Sequence, residues 1–177
     1  DAARVERGAF DNEAIDAALQ RLDALVGQEK VKRAIHNFVD VSRHSGRRRF
    51  VVWDFESQRA ILACPVSHGS GSSKSHQRSA YASLSNEDGS HLSSLGRALV
   101  AERYEGRYGI AYRLDGLNAS NSNLRPRCVV LHGWEHTTSY PIWPRATVGS
   151  FGCPVLSRRR MAEVDALLMN ESGVVLE

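Results

Sequence analysis

Cys128-Val129-Val130-Leu131-His132-Gly133, followed by Ser150-Phe151-Gly152-Cys153-Pro154, is the most informative part of the chain. The first segment reads as a strand, Arg127 to Leu131, with a histidine delivered at its end. The second is a Ser-x-Gly-Cys turn in which glycine lets the backbone approach closely and aim amides at a reacting carbonyl. A thiol with an ordinary pKa of about 8.5 needs a partner to act as a nucleophile near neutral pH, and imidazole is a common one. The pair therefore points to acyl transfer, with Cys153 as nucleophile and His132 as base. Amides of Phe151, Gly152 and Cys153 are the candidate oxyanion donors. Ser150 is read as a support for the turn or a substrate contact.

Around this centre the chain reads as strand-rich. Ala34 to Val41, Arg49 to Asp54 and Arg59 to Val66 are predicted strands, separated by turns at Ser45-Gly46 and Glu56-Ser57. Gly109 to Leu114 and Gly173 to Leu176 are further strands. Glu13 to Val26 has helical periodicity, a short helix is predicted around Leu95 to Leu99, and Ser157 is placed to cap a helix over Arg158 to Leu168. Gly69 to Ser79, rich in Gly and Ser, reads as a mobile loop. Trp134 to Thr147 is aromatic and broken by Pro141 and Pro144, so it reads as a lid in which Trp134, Tyr140 and Trp143 can cover a bound peptide. The expectation is one mainly β domain with peripheral helices.

Composition narrows the function classes. The 177 residues carry 23 Lys and Arg against 20 Asp and Glu, a net charge of +3. That mild excess, with no recognised motif or aromatic-basic platform, argues against nucleic-acid binding. No apolar run approaches the length of a membrane span. The chain opens on Asp1-Ala2-Ala3 without a legible leader, as a mature or trimmed start would.

Three cysteines leave one free reactive thiol beside one conceivable Cys64–Cys128 disulfide; burial of both as small apolar residues is the preferred reading. Cys64-x-x-x-His68-Gly69 echoes Cys128-x-x-x-His132-Gly133. Two such strands side by side would assemble a zinc-binding set. Metal would then occupy the proposed base, so a cleft-lining His68 opposite His132 is preferred, with a satisfied structural histidine as the close alternative, and neither a metal nor a cofactor is expected. Tyr112, Arg113 and Arg97 are candidates for holding substrate carboxylates, since arginine offers a bidentate fork; surface or structural ion pairing is the alternative, and the weightier one.

The order of several blocks carries a resemblance. His68-Gly69-Ser70-Gly71-Ser72-Ser73, Leu84-Ser85-Asn86, Ser93-Ser94-Leu95-Gly96-Arg97, Tyr112-Arg113-Leu114-Asp115-Gly116-Leu117 and Gly152-Cys153-Pro154 follow one another as in the L,D-transpeptidases of the YkuD type. The chain most resembles the subfamily called murein L,D-transpeptidase catalytic-domain-like. In the common form of the motif a histidine stands where Phe151 is, and an arginine that helps place a peptide carboxylate stands where Val155 is.

The resemblance implies a β-sandwich catalytic domain over residues 34–177, preceded by a helical extension over 1–33. It implies a Gly133 carbonyl that orients His132; His68, Tyr112, Arg113, Trp134 and Tyr140, from the readings above, complete the expected substrate contacts. Peptidoglycan stem peptides are the implied substrates and carbapenem-type β-lactams the implied inhibitors. A monomer in a periplasmic or wall-facing compartment is expected. The activity would be cross-linking, with hydrolysis of the same bond as the neighbouring alternative.

Overall fold

The computed structural model describes residues 35–74, 77–169 and 175–176. The helix expected over Glu13–Val26, and the 1–33 extension with it, lie outside the described residues. Eight strands form one mixed sheet in the order β3-β2-β1-β8-β4-β5-β6-β7. They are β1 (Ile35–Val39), β2 (Phe50–Asp54), β3 (Arg59–Cys64), β4 (Ala98–Gly106), β5 (Gly109–Gly116), β6 (Val130–Gly133), β7 (Val155–Leu156) and β8 (Val175–Leu176). Among the described residues one α-helix, α1 (Arg158–Leu168), packs against β5, β6 and β7. The described chain is thus mainly β with that helix at the periphery.

The meander β1-β2-β3 forms where alternating apolar residues predict it. Phe50, Val51 and Val52 are buried, and β2 pairs antiparallel with both neighbours. β4 replaces the short helix expected around Leu95–Leu99. A four-residue apolar run does not by itself distinguish helix from strand. Here Ala98 and Val100 are buried while their neighbours are less so, which is the period-two burial of a strand. A hairpin joins β4 to β5, with Gly106 opposite Gly109 and Arg107-Tyr108 at its tip. Gly109 has φ +83°, in the left-handed region that glycine enters without steric cost.

The two ends of the sheet come together. Just beyond β3, Ser67 exchanges both backbone hydrogen bonds with Val155 of β7, at 2.8 and 3.3 Å. The interior so enclosed is one cluster. Phe50, Val52, Leu62 and Cys64 from β2 and β3 meet Tyr112, Leu114 and Leu131 from β5 and β6, and Met161, Val164 and Leu168 from α1. Those three helix positions lie on one face, as spacings of three and four require. Cys64 is fully buried within this cluster, which pushes its thiol up to about 12. Cys128 is exposed, and the two are not bridged.

The Gly/Ser stretch read as a mobile loop is pinned where it begins. Gly69 bridges to Ser150, Ser70 donates to the Ser150 carbonyl and Gly71 to that of His91. A Cβ on Gly69 would lie 2.4 Å from the His91 carbonyl oxygen, so that close approach requires glycine.

His68 does not line a cleft as expected. It is buried beside Arg49, which is also buried and donates to the Val66 carbonyl at 2.8 and 3.1 Å and to that of Arg43 at 3.1 Å. The Arg49 guanidinium meets His68 Nδ1. A guanidinium only donates, so Nδ1 accepts and the ring proton sits on Nε2, facing the Tyr81 carbonyl and Ser79 Oγ, each at 3.0 Å. Burial first, and then the Arg49 charge, bring the His68 pKa down to about 4. The histidine is a neutral tie between strand and loop, with both ring nitrogens occupied.

Two outcomes follow from this packing. Ser157 caps α1 by accepting from the Arg160 amide at 3.2 Å, and its hydroxyl also meets Ser139 Oγ at 2.7 Å. Ser157→Ala should cost about 1–2 kcal/mol by urea unfolding with the fold retained. His68 protonates near pH 6.5 when unfolded but only near pH 4 when folded, so its contribution is present above pH 6.5 and lost as pH falls toward 4. Between pH 7 and 4.5 the unmodified protein should lose about 2 kcal/mol more than His68→Gln. Equal losses would mean that the histidine titrates normally in the fold.

Candidate active site

β6 and β7 run parallel, with His132 opposite Val155 and Gly133 opposite Leu156. Continuing that register back by two residues sets Val130 opposite Cys153. The contact agrees, since the Val130 amide donates to Cys153 Sγ at 3.4 Å. Val130 and His132 share one face of β6, roughly 6–7 Å apart along the strand. The same face carries Ala111 and Arg113, their antiparallel partners on β5. Thiol and imidazole therefore belong to one short stretch of sheet. The polar contacts of the thiol are the Val130 amide and, at 4.0 Å, the Cys128 carbonyl; it makes no hydrogen bond with the His132 ring.

His132 is held in one tautomer. Its Nδ1 lies 3.0 Å from the Gly133 carbonyl. A carbonyl only accepts, so Nδ1 carries the proton and Nε2 keeps its lone pair. No carboxylate is needed for this. Burial lowers the His132 pKa, opposed by the Gly133 hydrogen bond. Burial raises that of Cys153, opposed first by the Val130 amide. Both shifts favour neutral thiol beside neutral imidazole over a resting ion pair. A low-pKa thiolate, the expectation for a His-paired cysteine, is not what this environment favours.

The turn before Cys153 is braced by Ser150, whose hydroxyl donates to the Cys153 carbonyl at 2.6 Å and accepts from the Gly152 amide at 3.2 Å. That bond takes the Gly152 amide out of the expected oxyanion set. The amides of Phe151 and Cys153 have no partner among the described residues. Gly152 has φ +117°, and a Cβ there would lie 3.0 Å from the Leu92 carbonyl oxygen. Phe151 is exposed and packs edge-on against His91, ring centroids 4.8 Å apart.

Three supports were not legible as site residues. Arg127 sits behind the turn, donating to the carbonyls of Ser85 (3.0 Å) and Leu92 (2.6 Å) and to the hydroxyls of Ser94 and Ser90. Its charge draws the Cys153 pKa down. Ser93 accepts from the Gly69 amide at 2.9 Å and donates to the Gly152 carbonyl at 2.8 Å, tying loop to turn. Tyr108, at the β4–β5 tip, stacks on the His132 ring with centroids 4.8 Å apart and planes 24° from parallel. The motif Ser93-Ser94 was a clue to the second. Nothing local marks the other two.

The expected substrate contacts divide. Trp134 stands near His132; its ring meets Tyr108 at 6.5 Å and His136 at 4.8 Å, both edge-on. Arg113 shares the His132 face, with its guanidinium 5.2 Å over the Tyr104 ring. Tyr112 alternates to the opposite face, where it is buried and donates to Asp165 of α1 at 2.7 Å. It is part of the core, and strand alternation is the reason. Tyr140 packs against the start of α1, accepting from Arg159 at 2.9 Å with two guanidinia about its ring. Val155 is fully buried, so no side chain reaches substrate from that position. The zinc set does not assemble: no three His, Cys, Asp or Glu side chains cluster among the described residues.

Comparison with known proteins adds the family. The chain spans 90% of its length against, and 68% of, the crystal structure of an L,D-transpeptidase (residues 123–326) from Xylanimonas cellulosilytica, at 15% identity and a TM-score of 0.41. No curated protein matches. The family model described as L,D-transpeptidase catalytic domain matches residues 6–176. That match takes in every strand, the helix and both halves of the site, and the chain belongs to the L,D-transpeptidase catalytic-domain family.

Proposed function

We propose that the protein is a cysteine acyltransferase that cross-links peptidoglycan stem peptides through a thioester on Cys153. The observation that carries this reading is the fixed tautomer of His132. Its Nδ1–H is given to the Gly133 carbonyl, which leaves Nε2 as a base on the face where the β6–β7 register aligns Cys153.

As Cys153 Sγ attacks a stem-peptide carbonyl on the carbonyl side of a diamino acid, His132 Nε2 takes the thiol proton. Negative charge develops on the carbonyl oxygen, for which the unpartnered amides of Phe151 and Cys153 are the available donors. Collapse breaks the C–N bond, and His132 returns the proton to the departing amine. An acceptor amine then attacks the thioester and passes its proton to His132. The C–S bond breaks, and the sulfur recovers a proton from the imidazolium. No cofactor enters. A neutral resting pair suits this cycle, because the proton moves only when carbonyl carbon is present to receive the sulfur. Acting on such substrates puts the enzyme on the wall side of the membrane, and we take it to act as a monomer.

The test is intact mass after incubation with a carbapenem. One adduct should form, absent in Cys153→Ala with the fold preserved; an adduct retained on Cys64 or Cys128 would sink the assignment. His132→Gln should slow acylation at least ~10²-fold. Burial holds His132 below the ordinary histidine value of 6.5, so the neutral base persists into more acidic solution. The acid limb of acylation should therefore be half-maximal below pH 6.5. With disaccharide-peptide substrates the product should be cross-linked dimer. Hydrolysed tripeptide alone would make the protein an L,D-carboxypeptidase.

A further inference from the structure

A cavity of about 310 Å³ lies between Arg78 and residues of the stretch from Glu135 to Thr147. Its chemistry is that of an anion receptor. Thr147 is 2% exposed, yet its hydroxyl has no partner among the described residues. Buried hydroxyls are seldom left unpaired, and this one belongs to a residue in the cavity wall. Arg145 lines the same space and makes no ion pair or side-chain hydrogen bond with a described residue. Arg78 spends one nitrogen on the Ala146 carbonyl, at 2.5 Å, and keeps its other donors. The one carboxylate in the lining, Glu135, is already engaged by Arg158 at 2.5 Å. The remaining field is positive, and two guanidinium forks with a hydroxyl suit a planar carboxylate.

The cavity is coupled to the reacting centre by two routes. Thr137, in its wall, meets Ser67 Oγ at 3.3 Å, and Ser67 pairs with Val155, two residues beyond Cys153. On the other side the rings of His136, Trp134, Tyr108 and His132 follow one another in contact.

We propose that Arg78, Arg145 and Thr147 form a carboxylate-binding subsite for a peptide reacting at Cys153. The inference rests on the acyl-transfer reading for its substrate class, though not for the existence of the site. The carboxylate belongs either to the residue expelled from the donor or to the acceptor, and the two are separable by experiment.

KM and kcat are measured for donor and acceptor peptides, each with a free and an amidated terminal carboxylate, on the unmodified protein, Arg145→Gln and Arg78→Gln/Arg145→Gln. The double variant should raise KM at least tenfold for the free-carboxylate form of one partner, with kcat within twofold and the amidated form unaffected. An effect confined to the donor arm assigns the expelled residue; one confined to the acceptor arm assigns the acceptor. Unchanged KM, or equal loss for free and amidated peptides, overturns the subsite. Arg145→Gln alone, which removes no bond within the fold, should give a smaller shift in the same direction. In parallel, N-acetyl-D-alanine is titrated into Cys153→Ala by NMR, with and without the two arginine changes. Binding that depends on the arginines would uphold the subsite; if the unmodified protein then forms no acyl-enzyme with a carbapenem, the acyl-transfer reading alone is overturned. Binding indifferent to the arginines would overturn the subsite.

Discussion

The parallel pairing of β6 with β7 is the constraint on which the site depends. β7 is only two residues long, so its pairing with β6 is brief. It holds because Ser67 pairs with Val155 from one side while His132 pairs with it from the other. One residue thus fixes the turn carrying Cys153 relative to both the strand carrying His132 and the loop beyond β3. Val155 is buried for the same reason, which explains why a side chain at that position cannot serve the substrate here.

Given that frame, the chemistry of the pair is set by solvent exclusion. Burial lowers the imidazole and raises the thiol, while two backbone groups, the Gly133 carbonyl and the Val130 amide, oppose those shifts. Backbone partners suit this role because the sheet positions them without side-chain entropy loss. The Arg127 guanidinium, behind the turn, contributes field without contacting the sulfur.

What was legible in the residues follows their range of action. α1 begins and ends where the Ser157 cap and apolar spacing place it, since both are local. The same holds for β2 and for the start of β3. The run around Ala98 was not legible, because four apolar residues suit either a helix or a strand until β5 and β8 pair with them. His132 and Cys153 stood out through their glycines, and Ser150 through its spacing to Cys153. Tyr112 stayed open between substrate contact and structural role because that depends on which face of β5 it takes, a parity that the pairing with β6 decides. His68 and Arg49 find one another only after the chain folds. The stacking of Tyr108 on His132 joins a hairpin tip to a strand 24 residues later in the chain, with no local signature at either end.

That last contact has a consequence for how such a site diversifies. The cover over the base comes from a two-residue hairpin tip, which tolerates exchange and lengthening far better than a strand does. Hydration of the imidazole is therefore open to tuning by changes at Arg107 and Tyr108 alone. The wetting of that ring can change while the cysteine, the histidine and the strands that hold them stay as they are.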